Sequence, residues 1–286
     1  MKQLTFTTTG CWDTAQGFGC ASLGLAGICK NEEHHVATYP QPLEGIELTG
    51  TYEQILEKAK TVAQTVLAAV VVFGNAGAEN RFLADLQEMI HCPMVGGGAA
   101  IDGASGRKGL IPGGGEAAVL LITDDRFTYE TRTLCIHDTV LETCTLTLED
   151  PRTAKTINGM DAAKFYTQKR QEAGLSETDF EHLTLSDLQN VNAHLSIVDG
   201  KLKSGRDLHE TMLLRYVDHS KVYDTMREFY DDPDAIVFGC AGLSGLLDKP
   251  LDTKSVGLFL FGEVCMAQDR AEFGNLMLSK LVIRKK

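Results

Sequence analysis

Cys240 is the residue whose neighbours best suit it to chemistry. It stands in Ala235-Ile-Val-Phe-Gly-Cys-Ala-Gly242, where an apolar β-branched run ends among small residues. That pattern sets a thiol at a strand end with room around it. A thiol attacks as its thiolate and needs a base or a positive field to become one. The chain has eight histidines, and spacing alone assigns none of them to Cys240. Close by, Gly242-Leu-Ser-Gly-Leu246 misses the G-x-S-x-G nucleophile elbow at its last residue. His91-Cys92-Pro93 is a pair of the kind that can present a thiolate to haem iron, or a helix-ending proline after a packed cysteine. Cys135-x-His137 could chelate a metal on one strand face, with His34-His35 as a further pair, but neither has visible partner ligands.

The glycine runs invite a nucleotide test. From Gly96 the G-x-G-x-x-G pattern places Ile101 at its third glycine and fails; from Gly113 it reaches Ala118, but a strand follows instead of a helix. There is no G-x-x-x-x-G-K-[ST]. The eight cysteines contain no C-x-x-C, and the evenly spaced Cys11, Cys20 and Cys29 read as small apolar residues in a reducing compartment. The expectation is no cofactor, no structural metal and no disulfide, with haem as the one cofactor alternative.

The elements that must position these groups form two similar units. Ala235–Gly242 echoes Ala69-Val-Val-Val-Phe-Gly-Asn-Ala-Gly77, with cysteine in place of asparagine. Each follows an amphipathic helical pattern: Ile55, Ala59, Val62 and Val66 in the first, Val222, Met226 and Phe229 in the second. Thr51-Tyr-Glu-Gln54 reads as a capping box, Ser220 can cap the second helix, and Asp231-Asp-Pro233 ends it. A further helix carries Phe82, Leu83, Leu86, Met89 and Ile90 and stops at Pro93. Residues 127–148 alternate like paired strands, and 150–192 reads as more helical and charged. Asp199-Gly200 marks a hairpin, and Val256–Phe261 and Leu276–Ile283 read as closing strands. The result is a mixed α/β (α+β) fold of two related lobes of β-sheet flanked by helices, divided into 1–137 and 138–286.

A chain of 286 residues that is 43% hydrophobic can bury a large core, while a net charge of −12 gives no basic surface for nucleic acid. No apolar run reaches membrane-span length and the start lacks a secretory h-region, so the expected place is the cytoplasm.

With these residues in view, the chain resembles the FIST family, which pairs a FIST N region with a FIST C region. Val95-Gly-Gly-Gly-Ala-Ala-Ile-Asp-Gly103 is similar to its GG-x-A-A-D-D stretch, with Ile101 where aspartate is usual. Thr156-Ile-Asn-Gly-Met-Asp-Ala-Ala-Lys-Phe-Tyr166 resembles L-D-G-x-x-A-x-x-x-Y. Ile236-Val-Phe-Gly-Cys-Ala-Gly242 resembles F-x-C-x-G-R, with Leu243 replacing arginine. Val256-Gly-Leu-Phe-Leu-Phe-Gly-Glu263 with Phe273-Gly-Asn275 resembles G-F-x-x-x-G-E … F-H-N, with Gly274 replacing histidine. The resemblance implies a ligand-sensing module of signal transduction. Its polar anchors would be Gly97, Gly98 and Asp102 on a turn, with Cys240, Glu263 and Asn275. The expected function is a small-molecule-binding sensory protein that passes its signal to a separate partner. The alternatives are a cysteine-dependent hydrolase or transferase using Cys240, and an interaction scaffold.

Overall fold

The computed structural model describes residues 3–8, 10–11, 19–24, 27–29, 43–74, 77–99, 115–176, 179–247, 251 and 255–286. Four short strands come first: β1 (Gln3–Thr8), β2 (Gly10–Cys11), β3 (Gly19–Gly24) and β4 (Gly27–Cys29). Of these, β1, β3 and β4 form a small sheet of their own.

The first unit follows as β5 (Gly45–Gly50), α1 (Tyr52–Val62), β6 (Ala68–Phe73), α2 (Glu79–Ile90), β7 (Met94–Gly98) and β8 (Ala117–Ile122). β6 runs parallel to β7 and antiparallel to β8, which pairs antiparallel with β5. α1 starts as its sequence predicts. The Thr51 hydroxyl accepts from Gln54 N at 3.3 Å, and Gln54 Oε1 accepts from Thr51 N at 3.1 Å. α2 ends with His91 in the left-handed conformation, its N–H donating back to the Gln87 carbonyl just before Pro93.

β9 (Phe127–Leu134) opens the second unit, and the chain then leaves it. β10 (Thr139–Asp150), β11 (Thr153–Ile157), β12 (Met160–Asp161), α3 (Ala162–Glu172), β13 (Leu183–Ser186), β14 (Asn192–Ala193), β15 (Leu195–Val198), β16 (Lys201–Ser204) and β17 (Thr211–Tyr216) make an eight-stranded sheet. The chain returns with α4 (His219–Tyr230), β18 (Ala235–Cys240), the single turn α5 (Ala241–Ser244), β19 (Val256–Ala267), β20 (Arg270–Gly274) and β21 (Leu278–Lys285). β18 is parallel to β19 and antiparallel to β21, and β21 pairs antiparallel with β9.

The fold is therefore mixed α/β, and the second unit repeats the first strand for strand. The two join where β7 pairs antiparallel with β19, giving a ten-stranded sheet in the order β5-β8-β6-β7-β19-β18-β21-β9, with β2 and β20 attached to β19. The chain crosses to the inserted sheet after β9, and β9 itself, although it precedes residue 137, belongs with the second unit through its pairing with β21. β9 and β10 are strands, but they do not pair with each other: β9 goes to β21, and β10 to β11 and β17. Alternation fixes the strands and their faces; their partners are set by distant segments. Among the described residues, 150–192 carry one α-helix, α3, and are otherwise mostly strand and turn; of their charges Lys164, Lys169, Arg170 and Glu172 lie on α3, while Glu181 and Asp187 are buried. The N-cap of α4 is Asp218, which accepts from Ser220 N, and Ser220 supports that cap through its hydroxyl. Asp199 and Gly200, both at positive φ, turn the β15–β16 hairpin as predicted.

One face of the shared sheet buries Val70, Val72, Leu120, Phe238, Leu260 and Leu281. The other buries Val71, Phe73 and Val119 under Ile55, Phe82 and Leu86 of α1 and α2, and, further along, Val237 and Leu278 under Val222 and Met226 of α4. The inserted sheet has its own core, in which Phe165 and Tyr166 of α3 pack on Leu146, Leu183, Leu202 and Leu214.

Candidate functional site

The two units point their central strands at one another. Phe73 at the end of β6 pairs with Gly98 at the end of β7, Gly98 pairs with Phe261 of β19, and the adjoining Leu260 pairs with Cys240 at the end of β18. The C-terminal ends of strands from both units therefore meet in the middle of the sheet. A cavity of about 640 Å³ lies there, lined by Phe73, Gly74, Gly98 and Ala99 from the first unit, and Cys240 to Gly242, Phe261, Gly262, Phe273 and Asn275 from the second. The inserted sheet closes it with Arg152, Glu181, His194 and Gly205. Strand ends facing a crevice between elements are where sheets of this type present ligand sites.

Small residues are needed where the units touch. Gly97 is buried within β7, and a Cβ there would lie 2.1 Å from the Gly262 carbonyl oxygen, so no other residue lets β7 and β19 pair. Gly262 itself has φ of 76°, and a Cβ would meet Phe273 Cζ at 2.4 Å. Gly97 and Gly98 are thus strand residues and not part of a turn, because consecutive pairing with β6 and β19 keeps the backbone extended as far as Gly98. Asp102 lies outside the described residues.

Of the six residues singled out from sequence, Gly98, Cys240 and Asn275 line the cavity, while Gly97 and Glu263, paired with each other across β7 and β19, do not. Glu263 is wholly buried; its Oε2 accepts from Met277 N at 3.1 Å and its Oε1 has no partner. Burial holds this carboxyl well above the carboxylate range. The Cys240 thiol is pushed up to about 12, by burial first and then by the Glu263 carboxyl, with the backbone of Leu276, Gly242 and Gly262 acting the other way. No imidazole is among the groups that shift it. A thiol so placed stays protonated at neutral pH and is a poor nucleophile.

Asn275 is positioned by its backbone N–H, which donates to the Asn192 carbonyl of the inserted sheet at 3.0 Å. Its Oδ1 is buried without a partner at the cavity wall. Glu181, on the 3-10 turn just before β13, lines the same cavity, only 8% exposed and outside every ion pair among the described residues. Burial raises its carboxyl above the usual range. His137 fixes the Glu181 backbone: its Nε2 lies 2.6 Å from the Glu181 carbonyl, while its Nδ1 accepts from Asn192 Nδ2 at 3.2 Å. That arrangement requires the proton on Nε2, and burial holds His137 down to about 4. At the rim Arg152 bonds Glu79 at 2.9 Å and Asp207 at 3.0 Å.

The other cysteine motifs resolve differently. Cys92 is packed among Ile90, Met94 and the sheet, its thiol pushed up to about 12 by burial. Cys135 faces the Asn192 side chain and the His137 carbonyl, so Cys135 and His137 are held by hydrogen bonds to Asn192. Among the described residues no group of three or more His, Cys, Asp or Glu side chains converges as metal ligands do. No helix among them is long and apolar enough to cross a membrane.

Sequence reasoning missed Phe73, Glu79, Arg152, Glu181 and His194 as cavity residues. Phe73 carried a signal, since it belongs to the repeated Phe-Gly turn. Glu181 and Arg152 carried none, because only the docking of the inserted sheet brings them to the strand ends. A scan against protein-family models finds no match, and a search of the curated proteins finds no similar sequence.

Proposed function

We propose that this chain is a small-molecule-binding sensory protein of the FIST kind. Its ligand would occupy the cavity between the ends of β6, β7 and β18 and the inserted sheet, and its signal would pass to a separate partner protein. The observation that carries this reading is the cavity itself. At about 640 Å³ it falls in the range of ligand pockets, is built from three parts of the chain, and keeps a buried polar atom, Asn275 Oδ1, without an internal partner. The glycines at the seam support it, since at Gly97 and Gly262 the absence of a Cβ lets β7 and β19 approach closely beside the cavity. The cysteine-hydrolase alternative loses ground because burial raises the Cys240 thiol to about 12 and no described imidazole is among the groups that shift it.

Native mass spectrometry of the purified protein tests the proposal. The expected result is a retained small molecule that disappears in Cys240→Trp, whose indole would fill the cavity, while far-ultraviolet circular dichroism is unchanged. A bare parent protein that also fails to take up any compound from a metabolite extract would sink it.

A further inference from the structure

We infer that the cavity selects a small organic cation, a primary ammonium carried on an apolar or aromatic body. The inference rests on the reading of the cavity as a ligand site and adds the chemical class of the ligand. It comes from an imbalance between acceptors and donors on the cavity wall. Glu181 offers a carboxyl that is only 8% exposed, lies against the Gly242–Gly245 turn and has no ion-pair partner. Asn275 Oδ1, also on a residue 8% exposed, has no donor. The single guanidinium of the lining, Arg152, is already shared between Glu79 and Asp207, and Glu79 Oε2 takes the Gly77 N–H as well.

Asn275 Oδ1 is a buried acceptor without a donor, which is costly, and the Glu181 carboxyl is held only by its own backbone N–H; an ammonium brings three donors with the matching charge. The remaining wall suits the body of such a ligand. Phe73 and Phe273 meet edge to face at 5.6 Å between centroids, and Phe261 stands beside them on the lining. Ring faces and edges of this kind accept an apolar group, and a cation above a ring gains further attraction. A ligand carboxylate would instead face Glu181 with no uncommitted cation on the described lining to offset the repulsion.

Isothermal titration with three probes that share a phenylethyl body tests the class: 2-phenylethylammonium, 2-phenylethanol and 3-phenylpropanoate. The ammonium is expected to bind at least about tenfold more tightly than the alcohol, and the carboxylate more weakly than either. Glu181→Gln should remove that preference while leaving alcohol binding as it was, and Glu181→Asp, which keeps the charge, should retain part of it. A thermal melt of each variant checks folding. Equal or tighter binding of the alcohol or carboxylate, or an ammonium affinity untouched in a folded Glu181→Gln protein, overturns the inference. If native mass spectrometry finds a neutral or anionic molecule in the cavity, the ligand site stands and its cationic class falls. If no probe binds a folded parent protein, the cationic class also falls.

Discussion

A buried carboxyl with one free oxygen is an unusual thing to keep in a core, and Glu263 sets a sign for how this protein responds to pH. Burial raises its folded pKa well above that of the unfolded chain, which lies near about 4.3. Below that value both states hold the proton and nothing is lost. Above it the unfolded chain releases its proton while the folded chain keeps it, so stability falls as pH rises through the folded pKa. Glu263→Gln removes this slope and keeps an oxygen for the Met277 N–H. Urea-unfolding free energies between about pH 5 and pH 8 should show the variant gaining on the parent as pH rises. A difference that is flat or shrinks with pH would show that Glu263 is ionised in the fold. The same burial explains the inert thiol beside it, since a site that discourages one anion discourages its neighbour too.

Among the elements, α1 gives the plainest link from sequence to stability. Its capping box satisfies one N-terminal donor of the helix and the Thr51 N–H reciprocally. Thr51→Ala should cost about 1 kcal/mol in urea unfolding; a change within error would mean that packing of Ile55 and Ala59 holds the helix start unaided. α1, the end of α2 at Pro93, the two β-branched strands with their Phe-Gly endings and the Asp199-Gly200 hairpin were all legible from local pattern, because each is determined within a few residues. The β9 and β10 partners were not legible, because strand alternation says which side chains share a face and nothing about which strand lies alongside. Glycines 96–98 misled in the other direction. Glycine is rare inside strands, so the run reads as a turn, yet here the crowding of β6 and β19 demands it. The site was half legible for the same reason: Gly98, Cys240 and Asn275 stand in recognisable segments, while Glu181 becomes a cavity residue only through tertiary docking.

At the scale of the molecule, two similar units share one sheet and a third body is clamped over their meeting point. Arg206, 1% exposed, is the main polar clamp: it bonds Asp187 of the inserted body at 3.1 Å and Glu272 of β20 at 3.3 Å, and its other amino group reaches the Val191 carbonyl. Removing the guanidinium leaves the buried Asp187 and the half-buried Glu272 without a counter-charge. Arg206→Met should therefore destabilise the protein by about 3–5 kcal/mol in urea unfolding. A loss below about 1 kcal/mol would show that water reaches the acids once the arginine is gone. The Asn192 side chain, which donates to the Leu276 carbonyl at 3.2 Å, supplies a second tie between the same bodies.

The pairing of β9 with β21 also orders the making of the chain in time. The first unit closes on contacts within itself and can form as soon as β8 is synthesised, but β9 must wait for the last strand to be made. At the usual rate of roughly 5–20 residues per second, that wait is on the order of ten seconds, during which an unpaired strand invites mispairing. β9 carries its own protection. Its outward positions are Thr128, Glu130 and Arg132, and the last two face each other at 3.0 Å, so the waiting strand is charged along its open side. The residues that make β9 a quiet sheet edge in the finished protein are the ones that keep it out of wrong partnerships before the protein is finished.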